Sequence, residues 1–389
     1  MGMNRGKPSM AIVRPFQPNL AELCIYGPLM DRFDLTFYFT GLSEAGCRQQ
    51  LDSLGLQGLR AVRYSTYADF ISSQLLRRAI DYKIGFGSYM LSHLSEVLRH
   101  DYINVVDPIY AFPHQIARSM RPGQKLIVVR WENIYGRYEK VWMATRRANG
   151  VFRRADFIIC VSLAALHTLQ VPEEFAGKIS QIYPGIALGN LRPRNGDRLP
   201  GEVQANHAAP SPTILFVGRL NWTKGLHSLL VALSIVHRHW NCAATLRVIG
   251  GGDAKPYQKL ARKLGLEKYV EFWGPMANEQ VRLKMQEASL FCFPSLLSPN
   301  WMEQYGFALV EAMAHGLPVV AFDSGSIREI CGEDGVYASA GNSYELAKGI
   351  AGLLHNKTQA VHCGQRLQRR VSELFDAQRQ GQKLLELIQ

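Results

Sequence analysis

The 389-residue chain reads as an α/β protein built from two doubly wound domains. Three observations predict this. Short β-rich apolar runs alternate with helix-length segments in both halves, the pattern of parallel sheets flanked by helices. The length fits two domains at roughly 100–200 residues each. Between the halves, residues 192–212 (RPRNGDRLPGEVQANHAAPSP) are rich in Pro, Gly, Asn and charge and lack apolar periodicity, as a linker would.

The second half is the more legible. Thr213–Val217 ends at Gly218, Leu246–Ile249 at Gly250–Gly252, Leu290–Phe293 at Pro294, and Pro318–Phe322 at Asp323. Each is a short apolar run closed by turn residues, so each reads as a strand. Helical patterns fill the intervals: Gly225–Arg238, Pro256–Leu264, Asn278–Ala288 and Phe307–His315. In the first half, Leu35–Phe39, Ile103–Val106, Leu126–Val129 and Phe157–Val161 read as strands. Asp69–Arg78, Gly87–Arg99, Pro113–Met120 and Tyr138–Arg154 read as helices. This gives a Rossmann-like domain over residues 1–195 and a second over 196–370. Residues 371–389 close the chain as part of one amphipathic helix, Leu367–Gln389, packing back on the first domain.

Charged residues make up 20% and apolar residues 47% of the chain, ordinary globular usage, so its cores need no staples. The seven cysteines form no CxxC pair, which argues against a disulfide framework or zinc site and for a reducing compartment. Cys160 and Cys292 lie in apolar runs and read as buried thiols. No secretory leader and no spanning helix are expected, which points to the cytoplasm. The net charge of +12 is uneven: residues 1–200 hold 25 Lys and Arg against 16 Asp and Glu, residues 201–389 hold 19 against 16. A basic first half suits an anionic acceptor or membrane surface, so a peripheral position on the inner face of the membrane is one expectation. Nucleic acid is not expected, because no zinc finger, RNP-like pattern or dense basic stripe is present.

The chemistry concentrates in residues 294–330 (PSLLSPNWMEQYGFALVEAMAHGLPVVAFDSGSIREI). Gly306 opens a helix that Gly316 ends, with Pro318 following. The free N–H groups of that helix start form an anion site suited to a diphosphate. Glu303 precedes the helix, and Glu311 lies five residues past Gly306, about 7.5 Å along the axis. Two carboxylates so spaced can each take the vicinal hydroxyls of a sugar or ribose. Glu311 among Leu309, Val310, Ala312 and Met313 would sit near buried surface, where a carboxylate calls for a partner. In GRLNWTKG, residues 218–225, Gly218 and Gly225 frame a turn carrying Arg219 and Lys224, a fork and a point charge for phosphate oxygens at a strand end. Gly250 and Gly252 permit close backbone approach to a ligand. Asp253 reads as a turn or cap residue, and no residue set calls for a metal.

These motifs, with VIGGGD, FWG at 272–274, Ser295 in PS, EQYGFALVE and EAMAHGLPVVAFDSG, resemble the donor domain of glycosyltransferase family 4. The resemblance implies the GT-B fold, two Rossmann-like domains with parallel sheets facing an inter-domain cleft. It also implies a retaining, metal-independent enzyme without a cofactor, using a nucleotide-diphospho-sugar (UDP- or GDP-sugar) as donor. It places Arg219 and Lys224 on the diphosphate, Glu303 on the transferred sugar and Glu311 on the ribose. Backbone around Tyr305, Gly306, Phe307 and Ala308 would meet phosphate and sugar.

The first half resembles the family's acceptor domain in outline, through FRRADFIICVS (152–162) and KISQIYPGI (178–186). It departs in two places. No Gly-rich loop follows the first strand, AIVRPFQPNLAELCIYG. The strand LIVVRWEN ends in Arg130, Trp131 and Glu132 where the family often has His. Arg130 and Glu132 are acceptor-site candidates, Glu132 a catalytic one; a plain strand-end ion pair is the alternative. His114 is a further acceptor candidate. The basic stretch 135–154 reads either as a membrane-facing helix or as a solvated helix face. The acceptor implied is a glycan, glycolipid or small molecule bearing a hydroxyl. The competing readings are a GT-B sugar-nucleotide epimerase and a non-catalytic sugar-nucleotide-binding protein.

Overall fold

A computed structural model of the chain describes residues 6–15, 20–70, 89–134, 142–169, 173–190 and 211–389. The chain divides into two compact units, residues 1–187 with 377–389, and residues 188–376.

The first unit is a seven-stranded parallel sheet in the order β3-β2-β1-β4-β5-β6-β7. Its strands are β1 Ser9–Arg14, β2 Asp34–Phe39, β3 Arg60–Arg63, β4 Tyr102–Val106, β5 Lys125–Arg130, β6 Phe157–Cys160 and β7 Ile179–Gln181. β1, β2, β4, β5 and β6 are buried almost throughout, as central strands of a doubly wound sheet must be. The second unit is a six-stranded parallel sheet, β10-β9-β8-β11-β12-β13. Its strands are β8 Thr213–Val217, β9 Thr245–Ile249, β10 Val270–Gly274, β11 Leu290–Phe293, β12 Val319–Asp323 and β13 Val336–Ser339. The helix Leu226–Trp240 shows why the unit closes: Leu226, Leu229, Leu230, Leu233 and Val236 recur at helical spacing and are all fully buried. The helix Ser343–His355, capped by Asn342, packs against it.

All eight strand readings are found, within a residue or so of the expected ends. The helices expected over Asp69–Arg78, Gly87–Arg99 and Tyr138–Arg154 fall partly on residues outside the described set. Their described parts are a 3-10 turn at Tyr67–Phe70 and helices at Leu94–Val97 and Trp142–Arg154. Most of the expected linker, 192–210 of 192–212, also lies outside it. One reading needs correction. Leu367–Gln389 is not one helix: Lys357–Leu374 ends, and Ala377–Ile388 begins anew. Phe375 is fully buried in the second unit, with its ring edge-on to Tyr305. The Ala377 N–H instead donates to Ile186 O at 3.0 Å, in the first unit. Tertiary packing overrides the amphipathic pattern, and the break falls where the chain changes unit. The last helix packs on the 3-10 segment Leu20–Leu29, so closely that a Cβ on Gly381 would lie 2.2 Å from Ile25 O. All seven cysteines are free, with Cys160 and Cys292 buried.

Candidate functional site

In the second unit the chemistry gathers beyond the C-terminal ends of β8 and β11, where open α/β sheets hold ligands. The turn after β8 is shaped by its neighbours. Asn221 accepts the Lys224 N–H on its side chain, and Gly225 takes φ +68°. A Cβ on Gly225 would fall 1.8 Å from Pro294 O, so only glycine allows this turn to abut β11. The approach aims Lys224 at Glu303. Its Nζ lies 2.6 Å from Glu303 Oε2, and Ser295 Oγ donates to the same oxygen at 2.8 Å. The rings of Trp301 and Phe293 flank the ammonium, their centroids 5.0 and 5.6 Å away. Glu303 and Ser295 are buried, at 6% and 1% exposure. The Glu303 main chain is held too: its carbonyl accepts the Ser326 N–H at 3.0 Å. Lys224 and Ser295 thus fix the carboxylate, and Ser326 its main chain.

The helix Phe307–Ala314 follows directly. Gly306 precedes it at φ +81° and, as the N-cap residue, offers no side chain to its first turn. The Tyr305 side chain is packed against Phe307 and Phe375 in the core. Ala308 sits in the first turn. Gly250 and Gly252 do permit a close approach, but to the β8 loop: a Cβ on Gly250 would lie 1.8 Å from Gly218 O, and one on Gly252 2.8 Å from Leu220 O. Asp253 closes its turn by accepting the Lys255 N–H. Arg219 is exposed and makes no ion pair among the described residues.

Glu311 is half-buried, and its carboxylate has no hydrogen bond or ion pair among the described residues. Burial raises its pKa above the ordinary value, only partly offset by the more distant Arg282. Folding therefore favours its protonated form, and that contribution to stability is lost as pH rises past the ordinary carboxylate range. A desolvated carboxyl of this kind can accept hydrogen bonds from a ligand's hydroxyls. Glu311→Gln is expected to raise the melting temperature of the unliganded protein by about 1–2 °C at pH 7, with the gain shrinking toward pH 5, while weakening UDP binding. A variant that melts lower at pH 7, or binds UDP as tightly as the parent, would count against this placement.

In the first unit Arg130 ends β5 and Glu132 follows it. Both are buried, at 8% and 2% exposure. They make no direct ion pair: Arg130 Nη2 reaches Thr168 O at 3.5 Å, and Glu132 Oε1 accepts the Ile134 N–H at 2.9 Å. The structure adds Asp107, after β4, whose Oδ1 accepts the N–H groups of Trp131 at 2.9 Å and Glu132 at 3.3 Å. Burial pushes the Asp107 carboxyl up to about 6. No motif marks it in the sequence; its only signal is position at a strand end. His114 instead lies on the helix Ala111–Ser119 facing Gly150, in an ordinary helix–helix contact. Burial lowers its pKa, helped by Arg118 and Arg147. A second cluster not anticipated from sequence is Arg14, Glu22, Tyr26 and Asn104, joined by buried hydrogen bonds at the end of β1.

Two parallel-sheet α/β units with this topology make a GT-B protein, and solved structures bear out the fold over nearly the whole chain. Anabaena HepE, determined in complex with UDP and glucose, superposes with a TM-score of 0.71 at 20% identity, covering 97% of this chain and 98% of its own. Sucrose-phosphate synthase from Thermosynechococcus elongatus gives 0.72 at 16% identity, covering 98% of both chains. Within that fold, residues 211–356 of the second unit match the sequence model of the family described as Glycosyl transferases group 1. Among curated relatives, the phosphatidyl-myo-inositol mannosyltransferase of Mycobacterium leprae is 34% identical over 166 residues, 42% of either chain. The GDP-mannose-dependent alpha-(1-6)-phosphatidylinositol monomannoside mannosyltransferase of Mycobacterium tuberculosis is 28% identical over 236 residues, 58% of this chain and 61% of its own. The chain spans about half the length of these relatives.

Proposed function

We propose that the chain is a retaining glycosyltransferase that moves a sugar from a nucleotide-diphospho-sugar to a hydroxyl acceptor without a metal. The observation that carries this is the fixed Lys224–Glu303–Ser295 cluster beside a helix start with glycine at its N-cap, with a desolvated Glu311 one turn further on. The helix start and Arg219 suit the diphosphate, Glu303 the sugar hydroxyls, and Glu311 the ribose diol. In this reading the cationic side chains and helix N–H groups carry the charge stabilisation. UDP- and GDP-sugars are the donors of choice, given the UDP complex of one structural neighbour and the GDP-mannose of one relative. The relatives named for phosphatidylinositol substrates, and the basic first half, favour an anionic, lipid-linked acceptor reached from the membrane surface. No described helix is long and apolar enough to cross a membrane.

A thermal-shift screen against UDP-, GDP-, ADP- and TDP-sugars, followed by transfer assays, tests this. A true donor at about 100 times its Kd stabilises by about 2.7 kcal/mol, a rise of several degrees. Transfer should increase when anionic vesicles are supplied, and the increase should fade at high salt. If no nucleotide diphosphate sugar raises the melting temperature, the donor-site reading fails.

A further inference from the structure

In the sheet order of the first unit, β1 and β4 are neighbours from which the remaining strands run in opposite directions. Doubly wound sheets bind their ligands beyond the strand ends at such a reversal. Asp107 is the first residue past β4 there. Its N–H still pairs with Val129 O at 2.9 Å, but its φ is +28°, a region that costs a non-glycine residue of order 1 kcal/mol or more. The two N–H bonds to Oδ1 lock the carboxylate in place. The other oxygen, Oδ2, makes no hydrogen bond among the described residues.

The neighbourhood is that of an incomplete site. Arg130 is 8% exposed, yet among the described residues its guanidinium makes one hydrogen bond, at the long limit of 3.5 Å, and its buried Nε has no partner. Buried guanidinium donors are normally satisfied, so this cation is placed for its field and for a guest. It favours the charged form of Asp107, while Glu132 opposes it. From β6 the Cys160 thiol also faces this group, and burial holds it neutral, up to about 12. Glu132 is committed to the Ile134 N–H, which leaves Asp107 as the carboxylate with an open edge.

We propose that Asp107 is the acceptor-binding residue of the first unit, taking the hydrogen bond of the attacking hydroxyl on Oδ2. The inference rests on the glycosyltransferase reading above. In the transfer step the hydroxyl oxygen bonds to the anomeric carbon. The bond from that carbon to the diphosphate breaks, its electron pair leaving on the phosphate oxygen, and the hydroxyl proton passes to that oxygen. Asp107 stays ionised and orients the nucleophile.

The test uses the full chain with UDP-glucose or GDP-mannose as donor, and water or phosphatidylinositol in vesicles as acceptor. Asp107→Asn keeps an oxygen for the Trp131 and Glu132 N–H groups and turns the open edge from acceptor to donor. Turnover per acceptor should fall by about 10²-fold or more, with the donor-induced rise in melting temperature unchanged. In the parent, kcat/KM for acceptor should climb with pH through about 6, and that climb should vanish in the variant. A variant within threefold of the parent and sharing its pH profile overturns the proposal. Should the variant not fold, a parent profile flat from pH 5 to 8 overturns it equally. Absence of any donor-induced stabilisation or turnover in the parent is a different result, and sinks the glycosyltransferase reading itself.

Discussion

Replacing Glu303 by alanine is expected to lower sugar transfer by about 10³-fold or more while leaving the protein folded. The carboxylate joins Lys224, Ser295 and, through its main chain, Ser326. Breaking a buried pair costs about 3–5 kcal/mol. With side-chain exposures of 14% and 8% this one belongs at the low end, within what a stable domain tolerates. The functional loss is larger because, on the proposed reading, alanine removes the group that takes the sugar hydroxyls and also frees Lys224, which would keep the faces of Trp301 and Phe293. Glu303→Gln separates the two effects. It preserves an oxygen for Ser295 and Lys224, so it should bind nucleotide nearly as the parent does yet turn over about 10²-fold more slowly. Lys224→Ala should act mainly on donor binding. Nucleotide-induced thermal shifts and initial rates on the three variants decide the matter, and full transfer by Glu303→Ala would end the assignment.

That site was legible because its parts fall in short motifs, residues 218–225 and 294–330, that are closed by punctuation. Gly225, Gly306 and Gly316 all take positive φ, so the turns they mark are real backbone requirements. The strands that sequence patterning missed share a physical cause. β3, β7, β10 and β13 are the four outer strands of the two sheets. Their residues are mostly half-exposed, with Arg60 and Arg63 in β3 and Glu271 in β10, so none forms an apolar run. Trp301 and Phe293 could not be tied to Lys224 from spacing, since they lie about 70 residues along the chain and meet it only in the folded unit. Asp107 and Glu132 lie 25 residues apart and meet only because β4 and β5 pair in register.

The departure from the family pattern after the first strand has a structural counterpart, and it carries the second large effect. Where a Gly-rich loop would follow β1, the chain has Arg14 and Pro15, then Leu20–Leu29 as a buried 3-10 segment, with 16–19 outside the described residues. Arg14 is 2% exposed and fully engaged: Nε to Glu22 Oε1 at 2.9 Å, Nη1 to Asn104 Oδ1 at 2.9 Å and Val13 O at 3.1 Å, Nη2 to the Tyr26 hydroxyl at 3.0 Å. Burial opposes its charge, but Glu22 and Tyr26 outweigh that and keep it protonated. A cavity of about 20 Å³ adjoins the pair, lined by Arg14, Glu22, Tyr26, Trp131 and Leu384, room for one water. Glu22→Ala would leave a guanidinium without its counter-ion and should cost about 3–5 kcal/mol in the first unit. The double replacement Arg14→Met with Glu22→Leu removes both charges and should recover most of that loss, because an ion pair desolvated this far contributes little over an apolar pair of like volume. Urea unfolding of the two single variants and the double variant measures the coupling directly. A Glu22→Ala cost under about 1 kcal/mol, or a double variant no better than the worse single, would mean that the bonds to Asn104, Tyr26 and Val13 hold Arg14 without its carboxylate.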